Sequence, residues 1–395
     1  MTLRILWGSP LPPIRSGVSD YSVELLPSLA KVAEVRVLRP PGFSAADDLR
    51  IEGLEYAETD AVPREGEVSV IHLGNNPYHR WLVPRLASPR CVAVLHDLVL
   101  HHLLVESTLA EGEVREFERL IVQAHGSAGR SLAEARRFGV TSRRDPFLFP
   151  ARGPFLDNVE AVVVHSNWGV DQVKRDRSDV PVFRLAMPAK DPGPVDDVRE
   201  ALRGRLGARE GELLVMHIGF LTPAKGLQAV LEGLAILAEL GRAVRLVLVG
   251  EGKIGDVLDL ARALGVSDRV HATGWLPADD FLRIPAAADL GVVLRSPSAG
   301  ETSAAALRFL ACGTPVAVTA LHQFLEWPSS AAYRVTPGPS SVAELVRIML
   351  AVSDTLQNGT RRRVRGAARR AYMDGHHRPE EAAAGLTAFL AGVFE

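Results

Sequence analysis

Short apolar, β-branched runs alternate with longer amphipathic or alanine-rich ones along the whole chain. In the first half the strand candidates are "RILW" at Leu6, "VRVL" at Val37, "VSVIHL" at Val70, "CVAVLHD" at Val94 and "AVVVHS" at Val163. The series then restarts with "LLVMHIG", "VRLVLVGEG", "RVHATG", "LGVVLRS", "TPVAVTA" and "YRVT". Strands that alternate with helical segments build parallel sheets from βα units, so the pattern predicts an α/β chain of two doubly wound, Rossmann-like domains. Their seam is expected in "AMPAKDPGPVDD", Ala186 to Asp197, where Pro, Gly and Asp cluster and apolar periodicity stops. The first domain is expected to span 1–190 and the second 191–378, with a last helix at 379–395 packing back on the first. Leu103 to Pro154 has few strand signals and is expected to be helices and loops inserted before the next strand. "RRRVRGAARR", Arg361 to Arg370, is expected to be a solvated helix face, because arginine is the routine base of this chain.

Charge and composition narrow the function. The formal net charge is -2, from 45 basic and 47 acidic residues, so no global field recruits nucleic acid or an anionic surface. Hydrophobic residues make up 47% of the chain, as in an ordinary globular protein. The two cysteines, Cys91 and Cys312, each lie inside an apolar run, which suits packed thiols in a reducing compartment and not a disulfide framework or a metal site. The N-terminal "MTLRILWGSPLPP" lacks the layout of a signal peptide, and no run reaches ~18 apolar residues. A cytoplasmic location is expected.

Open parallel sheets bind ligands at the carboxyl ends of their strands, so the polar residues at which each apolar run stops become the candidates. His72, Asn75 and Asn76 follow one strand, His96 and Asp97 the next, and His165 and Ser166 a third; Lys225, Glu251 and Glu301 hold similar places in the second half. In "IGFLTPAKGLQAVLEGL", Thr222 is a good N-cap and Pro223 suits the first helical position, which puts Lys225 in the first turn. A cation there opposes the helix dipole unless an anion binds beside it; the alternative is a lysine that bends into water. In "SPSAGETSAAALRFLACGTPV", Glu301 stands at a helix mouth kept open by small residues, and Gly313 with Pro315 marks the helix end. Seven residues at about 100° each bring Glu301 and Arg308 to one helix face, either as a surface pair or as a pair facing a ligand.

Other templates fit less well. Gly250, Gly252 and Gly255 form a literal G-x-G-x-x-G, but after the second strand of their domain and with no acid at the end of the next strand, where a dinucleotide's ribose is held. No G-x-S-x-G elbow, Walker motif, H-E-x-x-H or C-x-x-C appears. Isolated His, Lys and Glu side chains at strand ends suit electrostatic stabilisation of a leaving diphosphate better than a covalent triad.

From "IGFLTPAKGLQAVLEGLAIL" through "VRLVLVGEG" to "LGVSDRVHATGWLPADDFLRIPAAADLGVVLRSPSAGETSAAALRFLACGTPVAV", the second half resembles the C-terminal domain of retaining glycosyltransferases of family 4, which have the GT-B fold. "GSPLPPIRSGVSDYSVELLPSLA", "VLHDLVLHH" and "VEAVVVHSNWGVDQV" resemble that family's N-terminal glycine loop, His-Asp strand end and Ser-containing strand end. The resemblance implies two Rossmann-like domains facing across a cleft, a nucleotide-diphosphate sugar held mainly by the second and a glycan or lipid-linked acceptor by the first. It implies no metal or other cofactor, a role in polysaccharide biosynthesis, and a site in the cytoplasm or at the inner face of the membrane. Lys225 would contact the diphosphate, with Gly17, Gly219 and Gly250 beside it. Gly300, Glu301, Thr302 and Ser303 would hold the donor sugar and phosphate, His96 would lie near the reaction centre, and Trp275 and Leu276 near the base. Asp20, Asn75, Asn76, Asp97 and Ser166 would lie on the acceptor side.

The chain departs from that pattern in two places. The family has Arg where Phe220 stands, and a second Glu, the ribose ligand, where Arg308 stands; Arg308 is expected to supply the charge that Phe220 lacks. A lone acid cannot run the two-carboxylate displacement of retaining glycosidases, so a front-face transfer is expected. The rival readings are a non-catalytic nucleotide-sugar-binding protein and a nucleotide-sugar epimerase or phosphorylase on the same fold.

Overall fold

The computed structural model describes residues 2–357 and 361–395, so Met1, Asn358, Gly359 and Thr360 lie outside the described residues, as do the side chains of Leu356, Gln357, Arg361 and Arg362. The chain divides into two compact units: Met1–Pro188 with Ala299–Thr302 and Pro379–Glu395, and Ala189–Ser298 with Ser303–Arg378. Ala299–Thr302 was expected in the second domain. It counts with the first unit because the amides of Leu98 and Val99 both donate to the Ala299 carbonyl, at 2.7 and 3.1 Å.

In the first unit, seven parallel strands are found among the described residues: β1 (Arg4–Gly8), β2 (Glu34–Leu38), β3 (Leu54–Ala57), β4 (Val68–Leu73), β5 (Cys91–Leu95), β6 (Ala161–Val164) and β7 (Val182–Arg184), in the order β3-β2-β1-β4-β5-β6-β7. The central strands are buried along their whole length, as expected of a parallel sheet covered on both faces. β3 and β7 escape the hydrophobic pattern because they are short, half-exposed edge strands. Helices His101–Ser107 and Val114–Arg137 fill the insertion before β6. The C-terminal helix Pro379–Phe394 packs on helix Gly17–Leu29, with the Ser28 hydroxyl 3.4 Å from Glu380 Oε1.

The second unit holds β8 (Leu213–Ile218), β9 (Val244–Val249), β10 (Val270–Gly274), β11 (Leu290–Val293), β12 (Val316–Thr319) and β13 (Ala332–Val335), again all parallel, in the order β10-β9-β8-β11-β12-β13. Its core is aliphatic, with Leu231, Leu234, Leu246, Leu248 and Leu290 fully enclosed; each such side chain contributes about 1.5 to 3 kcal/mol by leaving water.

The basic run at Arg361–Arg370 is less solvated than its sequence suggests. Arg365 Nη2 donates to the Cys312 carbonyl at 2.8 Å, and Arg369 donates to the Ala311 carbonyl and to Asp191 Oδ2. Those carbonyls end helix Ala304–Ala311 and have no partner within it, so the two guanidinium groups close that helix end. No described helix is long and apolar enough to cross a membrane.

Candidate functional site

Each sheet changes winding direction once, between β1 and β4 in the first unit and between β8 and β11 in the second. Loops diverge at such a point and leave a crevice at the carboxyl ends of the strands. In the second unit the loops that flank it are Gly219–Gly226 and Leu294–Ser298, tied together by the Ser296 amide donating to the Ala224 carbonyl at 2.9 Å. Lys225 belongs to the first of these loops.

Lys225 does not lie in the first turn of a long helix. Pro223–Lys225 is a single 3-10 turn, Thr222 makes no capping hydrogen bond, and Gly226 at φ 63° breaks the geometry before helix Leu227–Glu239 begins. The half-buried ammonium sits close enough to the buried His217 ring for its charge to matter. Burial first, and then the Lys225 and Arg295 charges, push His217 down to about 3, while its Nδ1 donates to the Val292 carbonyl at 3.0 Å. Two cations therefore bear on the end of β8. Arg295, the second, was missed in the sequence. Its only signal there is its place directly after the "LGVVL" run, whose first four residues form β11.

The Gly250 and Gly252 pair has a backbone explanation. A Cβ on Gly250 would lie 2.3 Å from the Gly219 carbonyl oxygen, and one on Gly252 would lie 2.5 Å from that of Leu221. Both residues have φ near 130°, and the Gly250 amide donates to the Gly274 carbonyl at 2.9 Å. The glycines let the loop after β9 run against the loop after β8, which is what the G-x-G spacing serves. Trp275 and Leu276 follow β10, and the Trp275 ring is 48% exposed.

Glu301 is not helical. The N-cap of helix Ala304–Ala311 is Ser303, whose Oγ accepts the Ala306 amide, so Glu301 precedes the helix and the turn count that aligned it with Arg308 does not apply. Arg308 is 6% exposed, with its guanidinium carbon 5.2 Å from the Phe281 ring centroid. In the first unit, Glu301 belongs to the segment seated on the loops after β5 and β6: Thr302 Oγ1 donates to the His165 carbonyl at 3.2 Å, and a Cβ on Gly300 would lie 2.6 Å from Trp168.

At the first unit's strand ends, several predicted acceptor-side residues build the loops. Asn75 Oδ1 accepts the His102 and Leu103 amides at 2.7 and 3.3 Å, capping helix His101–Ser107, and the Asn75 amide donates to Asp97 Oδ2 at 2.7 Å. Asn76 Oδ1 accepts the Tyr78 amide, and Ser166 Oγ caps helix Asn167–Asp176 through the Gly169 amide. Gly17 and Asp20 lie in the first turn of helix Gly17–Leu29, and nothing occupies the space where a Gly17 Cβ would sit.

His96 is the exception in this unit. Its Nε2 is 2.9 Å from His72 Nδ1, and the Tyr21, His165 and His72 rings surround it at centroid distances of 4.7, 5.2 and 5.2 Å. Burial, then the charge on His165, holds His72 and His96 well below the usual histidine range; burial takes His79 down to about 4 and pushes the Tyr21 hydroxyl above the usual tyrosine range. His79 and Tyr21 were not predicted. They reach the cluster from a 3-10 turn and a helix, and linear spacing shows neither approach.

Two units, each a parallel sheet covered by helices, are the α/β architecture of GT-B glycosyltransferase structures. Residues 212–352 match the family described as Glycosyl transferases group 1. Among curated proteins, the chain is 30% identical over 158 residues to a 2-deoxystreptamine glucosyltransferase of Streptomyces kanamyceticus, covering 39% of this chain and 40% of that one. The chain spans less than half the length of the curated relatives it matches. Among solved structures it is similar to WaaG, a glycosyltransferase involved in lipopolysaccharide biosynthesis (TM-score 0.62, 19% identity, 96% of this chain and 98% of that one). It is also similar to HepE of Anabaena in complex with UDP (TM-score 0.66, 16% identity, 99% and 100%). At these identities the structural likeness concerns the fold.

Proposed function

We propose that the chain is a retaining family 4 glycosyltransferase that moves a hexosyl group from a nucleoside-diphosphate sugar to a saccharide or lipid-linked acceptor. The observation that carries this reading is the placement of Lys225 and Arg295 at the switch point of the second sheet, inside the stretch that matches Glycosyl transferases group 1. Two cations at a strand-end crevice suit a diphosphate, and Arg295 supplies a charge that the exposed Phe220 does not.

In this reading the bond between the anomeric carbon and the β-phosphate oxygen breaks as the acceptor oxygen approaches on the same face. The acceptor's proton passes to the departing phosphate oxygen, whose charge Lys225 and Arg295 stabilise. Glu301 and the Thr302 and Ser303 amides hold the sugar, His96 reads one of its hydroxyls, and Trp275 and Leu276 flank the base. Arg308 adds to donor affinity.

The test is a panel of UDP-, GDP- and ADP-sugars, read by thermal protection and by slow donor hydrolysis. A nucleotide at ~100 times its dissociation constant stabilises the fold by about 2.7 kcal/mol, and Lys225→Ala is expected to weaken that ligand roughly tenfold or more. No protection by any member of the panel would sink the proposal. Binding without turnover favours a binding protein, and conversion of donor alone to an isomer or a sugar phosphate favours an epimerase or phosphorylase. The anomeric configuration of a transfer product decides retention.

A membrane-borne acceptor is supported by the stretch Arg137–Arg144, exposed throughout, in which Phe138 is 85% and Val140 62% exposed beside Arg143 and Arg144, with Leu148 exposed nearby. Apolar side chains among arginines suit the surface of an anionic bilayer. Co-sedimentation with phosphatidylglycerol vesicles, lost in Phe138→Ser with Arg143→Glu, is the expected result; equal binding to neutral vesicles contradicts it.

A further inference from the structure

His72 is fully enclosed, its Nδ1 faces His96 Nε2 at 2.9 Å, and its Nε2 is sealed from solvent with no hydrogen-bond partner. Both rings are neutral by burial, so one hydrogen lies between the two facing nitrogens. Two tautomeric arrangements satisfy that contact. If His96 were the donor, the His72 proton would sit on Nε2, an N–H group buried without an acceptor. If His72 is the donor, its Nε2 is a bare lone pair instead.

Orphaned buried N–H groups are rarer than under-used acceptors, which selects the second arrangement. His79 and His217 follow the same rule: in each, Nδ1 faces a backbone carbonyl and must carry the hydrogen, and Nε2 is the sealed, unpartnered nitrogen. His96 differs from them. It is 8% exposed, and its Nδ1 is not among the sealed, unpartnered ring nitrogens.

We infer that His72 is a positioning residue: by donating its Nδ1–H to His96 Nε2 it fixes His96 as the Nδ1–H tautomer, so that His96 presents a hydrogen-bond donor, not a base, to its ligand. The ligand oxygen is a hydroxyl of the donor sugar, a detail that rests on the function proposed above. His79 supports the arrangement from behind, its Nδ1–H held by the His72 carbonyl at 2.9 Å, and the Trp7 ring, 4.1 Å from His72 between centroids, closes the other side.

The experiment is long-range 15N–1H spectroscopy on the full chain labelled at histidine, with His96 and His72 assigned by substitution. At pH 7 His96 is expected to show a pyrrole-type Nδ1 and a pyridine-type Nε2. A pyrrole-type Nε2, or an imidazolium, overturns the inference whether or not any nucleotide sugar binds. His72→Phe, similar in shape but without a donor, removes the hydrogen bond that favours the Nδ1–H form and is expected to raise the Nε2–H share of His96, whereas His72→Asn, whose amide nitrogen takes the place of Nδ1, is expected to keep the Nδ1–H form; a predominantly Nε2–H His96 in His72→Asn also overturns the inference.

UDP-glucose and UDP serve as binding probes, the former having been seen with HepE. One net hydrogen bond corresponds to roughly a 3- to 10-fold change in affinity. His72→Phe is expected to lose that factor for UDP-glucose and leave UDP unchanged, and His72→Asn to restore it. Equal loss for both probes points to general damage at the fold and counts against a positioning role. If neither probe binds the unmodified protein, the GDP- and ADP-sugars of the panel decide the proposed function, and the tautomer result alone decides the inference.

Discussion

Arg203 Nη1 lies 2.9 Å from Asp289 Oδ2, and both side chains are enclosed in the second unit. Arg199 holds the other carboxylate oxygen at 2.6 Å, and the Leu214 amide donates to Oδ2 at 2.9 Å. One carboxylate thus fixes helix Asp196–Arg205 to the start of β8 and β11. Removing one member of a buried ionic set strands the others, at about 3 to 5 kcal/mol. Asp289→Ala is expected to lower stability by that amount in urea unfolding followed by circular dichroism; a loss below ~1 kcal/mol contradicts the assignment.

The glycines at 250 and 255 separate structure from motif. Gly250→Ala drives a methyl group against the Gly219 carbonyl at a positive φ, and backbone strain with overpacking amounts to about 2 to 4 kcal/mol. Gly255 lies in helix Ile254–Ala263 with nothing within 4 Å of its Cβ position, so Gly255→Ala is expected to be neutral or to stabilise by up to about 1 kcal/mol. Thermal melts of the two variants read the difference. A marked loss in Gly255→Ala is the result this account does not allow.

Asn75 caps helix His101–Ser107 from a neighbouring loop. Asn75→Ala leaves the His102 and Leu103 amides without their acceptor, and loss of a cap costs about 0.5 to 2 kcal/mol. Asn75→Asp retains the acceptor oxygen and is expected to recover most of that loss. Chemical denaturation of the pair checks it; equal midpoints for the two variants would remove the capping role.

The buried histidines make the first unit acid-sensitive. His79 titrates near 6.5 when unfolded and near 4 when folded, so the unfolded chain takes up a proton that the folded chain refuses. Stability is complete above about pH 6.5 and declines as pH falls toward 4, by roughly 3 kcal/mol for this ring at 1.36 kcal/mol per unit. Below that the folded ring is charged as well and no more is lost on its account. Unfolding free energies from urea at pH 7.5 and 5.0 should differ by about 2 kcal/mol of that on account of His79. His79→Asn, which keeps a donor toward the His72 carbonyl, should show a shallower decline, and an unchanged slope would exclude His79 as its source.

Both sheets were legible because their central strands are buried on both faces and read as unbroken apolar runs, whereas β3 and β7, half exposed at the edges, look like loop. Strand-end polar residues marked the loops at the carboxyl ends of the strands. Their roles depended on details that linear patterns do not carry. Thr222 and Pro223 read as a helix start, but Gly226 turns left-handed before the helix forms. For Arg308 the sequence left a surface pair and a ligand-facing pair open, and neither reading shows that Phe281, well upstream, packs against its guanidinium. His72 and His96 stand at the ends of consecutive strands, yet only the β4–β5 pairing, with the His96 amide on the Leu73 carbonyl at 2.9 Å, turns that spacing into contact.

The placement of helix Pro379–Phe394 on helix Gly17–Leu29 bears on synthesis. About 190 residues separate Pro188 from Pro379, and at ~5 to 20 residues per second the ribosome takes roughly 10 to 40 s to add them. For that interval the apolar face of the first helix is made but uncovered. The first unit therefore reaches its finished packing only after the whole second unit has been synthesised, although all seven of its strands precede that unit in the chain.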